Sequence, residues 1–140
     1  QEDPVPQIEV NQLYLKSNTD KLSKKRTDWI LDIFFFPNPI TKERDRPFFP
    51  KMLIAVDTNS FNLLGYHIFY ENNIEQNLQI HLVKMVKDAG YIPNKVFVTT
   101  YSTYNLLEKL TRELGIIIEI DESETALDEV KAELFSSISL

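Results

Sequence analysis

The chain contains no cysteine, which excludes a disulfide framework, a thiolate nucleophile and any cysteine-bearing metal site. Glycine is almost as scarce, with 3 in 140 residues, and none belongs to a Gly-rich loop of the kind that cradles nucleotide phosphates. No apolar run approaches the ~18 residues that a membrane-spanning helix requires. No basic and apolar leader is read ahead of the first hydrophobic segment, and the chain opens at Gln1 without a methionine, as an excised domain or a processed product would; the absence of cysteine fits a reducing cytoplasm, the expected location. Positive charge is in deficit, with 15 Lys and Arg against 21 Asp and Glu and a net charge of −6. Because phosphate neutralisation dominates nucleic-acid affinity, nucleic acid is not an expected partner.

What remains is an ordinary globular composition, 43% hydrophobic and 26% charged, long enough for one self-sufficient core. Residues 1–28 read as a lead-in. Within it, Ile8–Leu15 has the pattern of a short strand, and Ser17–Arg26 that of a short helix capped by Asn18 or Thr19. Residues 29–140 read as a single α/β domain.

Three strand-like runs open that domain: Trp29–Phe36, Lys51–Asp57 and Leu63–Tyr70. They are rich in β-branched and aromatic residues and bounded by turn formers. The last two flank the polar Thr58-Asn-Ser-Phe-Asn62, where Asp57 is expected to start a tight turn by accepting backbone amides. Beyond Tyr70 the pattern becomes helical. Ile74, Leu78, Leu82, Met85 and Val86 recur at helix spacing until Gly90. A strand at Lys95–Thr100 follows, then a helix capped by Ser102 or Thr103 and ended by Gly115. A strand at Ile116–Ile120 and a helix near Ser123–Phe135 complete the chain. The first three strands are expected to be antiparallel neighbours, and the later ones to join by crossovers as parallel strands. The expected fold is a mixed five-stranded sheet with flanking helices.

One charge interrupts the first apolar run. Asp32 alternates with Ile30, Phe34 and Phe36, so it faces a core, where a carboxylate must be paired, hydrogen-bonded or metal-bound. The strand order, with this aspartate in its first strand, resembles the ribonuclease-H-like fold of integrase and transposase cores. That resemblance covers about Trp29 to Phe135. It implies a pair of Mg²⁺ or Mn²⁺ ions clamped by carboxylates, with Asp32 as catalytic and metal-ligating anchor and Glu124, Asp128 or Glu129 as the acid of a late helix. A second acid belongs just after the fourth strand. This chain has Thr99, Thr100, Tyr101 and Ser102 there, and hydroxyls replace a bridging carboxylate poorly. Without that alternative, no cofactor is expected.

A second resemblance rests on Trp29/Asp32, Arg46-Pro-Phe-Phe-Pro50, Asp57-Thr-Asn-Ser60, Ala89-Gly90 and Ala126-Leu-Asp-Glu129. In this order they resemble a bacterial domain family of unknown function, with one departure: Phe61 stands where that pattern has a glycine. The family implies no known activity.

The remaining candidates are weaker. Thr99, Thr100 and Ser102, where a strand hands over to a helix, are candidates for binding a small ligand. Phe48, Phe49, Phe61 and Tyr70 are candidates for an exposed protein-binding patch. The basic segments 21–26 and 42–51 read as solvated. His67 is expected in the core or at an edge, and His81 exposed. The leading expectation for function is a non-catalytic interaction or regulatory module with a protein partner. A divergent metal-dependent nuclease is the first alternative and a ligand-binding module the second.

Overall fold

The computed structural model describes residues 10–37, 39, 49–70, 74–122 and 126–137. The elements in chain order are α1 (Gln12–Thr19), β1 (Lys24–Phe35), β2 (Lys51–Asp57), β3 (Leu63–Phe69), α2 (Glu75–Ala89), β4 (Ile92–Val98), α3 (Tyr101–Glu113), β5 (Ile117–Ile120) and α4 (Ala126–Ser137). The strands form one sheet in the order β3-β2-β1-β4-β5. β1–β2 and β2–β3 are antiparallel, while β1–β4 and β4–β5 are parallel. This is the expected mixed five-stranded arrangement, and it places β1 at the centre.

Alternation along β1 divides the core in two. Trp29 and Leu31 point to one face, where they join Leu53, Phe69 and Val96 under the apolar stripes of α2 and α3 and Leu15 of α1. Ile30 and Phe36 point to the other face and meet Met52, Ile54 and Val56 under Leu127 and Leu134 of α4. A strand buried on both faces loses the polar alternation of a surface strand, which is why residues 29–36 read as a continuous apolar run.

The lead-in differs from expectation. Residues 12–19 form a helix that packs beside α2, with Leu15 and Thr19, one turn apart, both buried and Leu15 joining the core. Its amino end is capped by Asn11, which accepts from the Tyr14 amide, and the Asn11 amide donates to Gln79 of α2 at 3.0 Å. The expected helix at Ser17–Arg26 holds only over Ser17–Thr19, the end of α1, and its last residues belong to β1, since Lys24 and Lys25 pair with Ile92 and Pro93 of β4. β1 therefore runs across the boundary drawn between residues 28 and 29. A basic segment extends here because a neighbouring strand supplies its hydrogen bonds, which local propensity cannot anticipate.

Two turns follow the sequence closely. Asp57 accepts from the Asn59 and Ser60 amides at 2.7 and 3.2 Å, as an aspartate opening a turn should. Phe61, in the place of a glycine, has φ of 55°, the one positive φ at a non-glycine among the described residues. Gly90 ends α2 at φ 84°. The cap of α3 is Thr100, one of the candidate ligand residues, and not Ser102 or Thr103; its hydroxyl accepts from the Thr103 amide at 3.2 Å.

Candidate functional site: a carboxylate closed by a lysine

Asp32 is 3% exposed and lies opposite Ile54 in the β1–β2 ladder, on the face covered by α4. A carboxylate there needs a partner, and α4 provides one. Lys131 Nζ lies 2.7 Å from Asp32 Oδ2, with the lysine side chain 22% exposed and the aspartate side chain 4%. The second carboxylate oxygen accepts a long hydrogen bond, 3.5 Å, from the Thr99 hydroxyl just beyond β4. The ammonium also sits 4.2 Å from the centroid of the Phe34 ring, where the ring's negative face favours a cation.

The local reasons are legible. Leu127, Val130 and Leu134 form the buried stripe of α4, and Lys131, one turn from Leu127, falls on the same face. Its stem covers apolar surface while its head reaches the carboxylate. Phe135 fixes the helix from its far end, with its ring edge-on to Phe34 and Phe36 at 5.8 and 5.1 Å.

The expected acids are placed differently. Asp128 and Glu129 are in the first turn of α4 and exposed, where acids complement the helix dipole. Glu124 lies outside the described residues. Among the described residues no group of three or more His, Cys, Asp or Glu side chains is placed to hold a metal ion. The donor set around Asp32 is one carboxylate, one distant hydroxyl and one ammonium. A divalent ion needs several oxygen ligands and no neighbouring cation, so these residues do not fit a two-metal centre.

Thr99 reaches Asp32, Thr100 caps α3, and Ser102 lines a cavity of about 90 Å³ with Phe34, Phe35 and Lys51. That volume is well below the roughly 300 Å³ at which small-molecule sites begin. Of the candidate patch, Phe49 and Tyr70 are exposed near the Lys51 end of β2, whereas exposed Phe61 lies at the Asp57 end, a full strand length away. Phe48 lies outside the described residues. His81 is half-buried where exposure was expected, and its ring stacks on His67 at 3.3 Å.

Lys131 is the residue that sequence reasoning missed. The signal was a lysine within an otherwise apolar helical stripe, as informative as an aspartate within an apolar strand.

In fold, the chain is similar to a chain of the cryo-EM structure of the simian T-cell lymphotropic virus intasome in complex with PP2A regulatory subunit B56 gamma. The identity is 14% and the TM-score 0.54, over 98% of this chain and 43% of that one. The crystal structure of the catalytic core domain of BIV integrase is also similar, at 16% identity and a TM-score of 0.47, over 78% of this chain and 63% of that one. The chain thus spans less than two thirds of either. At 14% identity the intasome match speaks for fold alone, and with the strand order it gives an α/β domain of ribonuclease-H-like fold. Within that class the chain belongs to the DUF6930 family, a domain of unknown function, whose model matches residues 15–135. No curated protein matches it. Among the described residues no helix is long and apolar enough to cross a membrane.

Proposed function

We propose that the domain is a non-catalytic interaction or regulatory module of a larger bacterial, cytoplasmic protein, built on a ribonuclease-H-like scaffold. One observation carries this reading: the Lys131 ammonium stands against the Asp32 carboxylate. In a metal-dependent nuclease the equivalent carboxylate must be free to share a dication. Here its charge is already neutralised, and an arriving Mg²⁺ would be repelled by a cation in direct contact with its ligand. The pair instead fastens α4 to the sheet.

The alternative is a divergent nuclease or transposase-like core. Its support is the place of Asp32 in the central strand of an integrase-like fold. It requires Lys131 to withdraw and the acidic first turn of α4, Asp128 and Glu129, to come inward.

The two readings part in one experiment. The purified domain is titrated with Mn²⁺ by calorimetry and incubated with single-stranded and supercoiled DNA in Mg²⁺ or Mn²⁺. No saturable binding and no cleavage are expected. Metal-dependent cleavage that disappears in Asp32→Asn would overturn the proposal.

A further inference from the structure

The two edges of the sheet are protected to different degrees. β5 is four residues long, carries Glu119, and has that charge held by Lys95 of β4 at 3.1 Å. Short length and charge are the usual ways in which a sheet edge is kept from pairing with another chain. β3 has neither. Its seven residues, Leu63-Leu-Gly-Tyr-His-Ile-Phe69, contain no acidic or basic side chain other than His67 and no proline. Among the described residues it pairs with β2 alone. Leu64 and Tyr66 are 37% and 48% exposed, and both project to the α4 face at the side of the sheet that the single helix leaves open.

On the opposite face α2 flanks this edge. Gly65 faces Met85 of this helix, whose side chain lies 3.4 Å from where a Cβ would stand, an ordinary packing contact. Between helix and strand runs a shallow groove of about 80 Å³, bordered by His67, His81, Lys84 and Asp88.

We infer that β3 is a self-association edge, pairing antiparallel with β3 of a second copy about a two-fold axis near Gly65. Three features favour a second copy over a foreign peptide. First, the groove is too small to hold a specifying side chain, and peptide recognition by strand addition depends on such pockets. Second, the chain carries a net charge of −6, so copies repel over most of their surface, and an edge strand free of formal charge is where that repulsion is least. Third, the exposed rim of α2 carries Lys84 and Asp88, unlike charges one turn apart. A two-fold axis reverses their order, so Lys84 of each copy faces Asp88 of the other. Leu64 and Tyr66 then meet their counterparts across the new strand pair, the kind of aliphatic–aromatic contact that stabilises sheets. The inference gives the interaction reading a surface, yet it is independent of the metal question, because its readout is association and not cleavage or metal binding.

Sedimentation equilibrium of the 140-residue chain over a wide loading range tests it. A reversible dimer is expected, weakened roughly tenfold or more by Tyr66→Lys or Leu64→Lys and unchanged by Ile117→Lys on β5. Lys84→Glu is expected to weaken the dimer, and Lys84→Glu with Asp88→Lys to restore it. Backbone amides of residues 63–69 should exchange more slowly as concentration rises, which tests the edge without any substitution. A wild-type chain that stays monomeric, a dimer indifferent to Tyr66→Lys and Leu64→Lys, or a charge swap that fails to restore would each overturn it.

Discussion

Among the described residues three helices lie on one face of the sheet and a single helix on the other, and the two interfaces are made of different chemistry. The three-helix face is closed by aliphatic side chains of α2 and α3 packed on Trp29, Leu53, Phe69 and Val96. Its polar contacts are hydrogen bonds between neutral groups, as where the buried Trp29 indole donates to Tyr91 at 3.1 Å and the buried Thr111 hydroxyl donates to the Leu107 carbonyl at 3.0 Å. The single-helix face holds α4 with a narrow stripe, an edge-on aromatic cluster and one ion pair. A helix about 10 Å wide cannot cover five strands spaced 4.8 Å apart, so this face keeps Tyr66, Leu64 and Ile117 in contact with solvent. Apolar area dominates the first face. The second has too little area, and a buried charge pair fixes where its helix sits. Such a pair adds little net stability over an apolar replacement, but losing one partner is costly.

The contrast can be broken from either side. The largest loss is expected on the three-helix face: Leu107→Ala, at a fully buried position, should cost about 4 kcal/mol in urea unfolding. On the other face Lys131→Met leaves the Asp32 carboxylate buried without its partner and should cost about 3 kcal/mol. Combining it with Asp32→Leu should return stability to within about 1 kcal/mol of wild type, because two apolar groups replace the pair. If the double variant is no better than Lys131→Met, the ion pair is not what fixes α4. Phe135→Ala, half-buried and edge-on to Phe34 and Phe36, should cost about 2 kcal/mol, and amide exchange should show the loss confined to α4. The smallest effect is a gain. Phe61→Gly relieves a left-handed backbone at an exposed site and should add about 1 kcal/mol, seen as a higher Tm.

Legibility followed the same division. Each helix of the three-helix face after Tyr70 was readable from its stripe and its terminal glycine, because those are local signals. The turn at Asp57 was readable from its residues, whereas the anomaly of Phe61 showed only against the resembled family pattern, which has a glycine there. α1 was split between an expected strand, Ile8–Leu15, and an expected helix, Ser17–Arg26, because eight residues with only Leu15 and Thr19 buried hold too little periodicity to decide. The first five residues of β1 were misread because three consecutive cations extend only where β4 is there to pair with them. The site was half legible. Asp32 announced itself as a charge in an apolar run, whereas its partner had to be sought among acids that the integrase resemblance supplied, and it turned out to be a base.

By itself the sequence determined that a carboxylate would be buried within the first strand of a mixed five-stranded sheet, because strand alternation and side-chain transfer energies are local properties. What satisfies that carboxylate was decided only when α4 folded across the sheet. The pairing of Asp32 with Lys131 joins segments far apart in the chain, and a pattern read along one segment carries no information about which distant side chain will arrive. The unequal edges have the same origin. The absence of charge in Leu63–Phe69 is written in the sequence, but that this strand lies outermost among the described residues, beside α2, is a property of the sheet order.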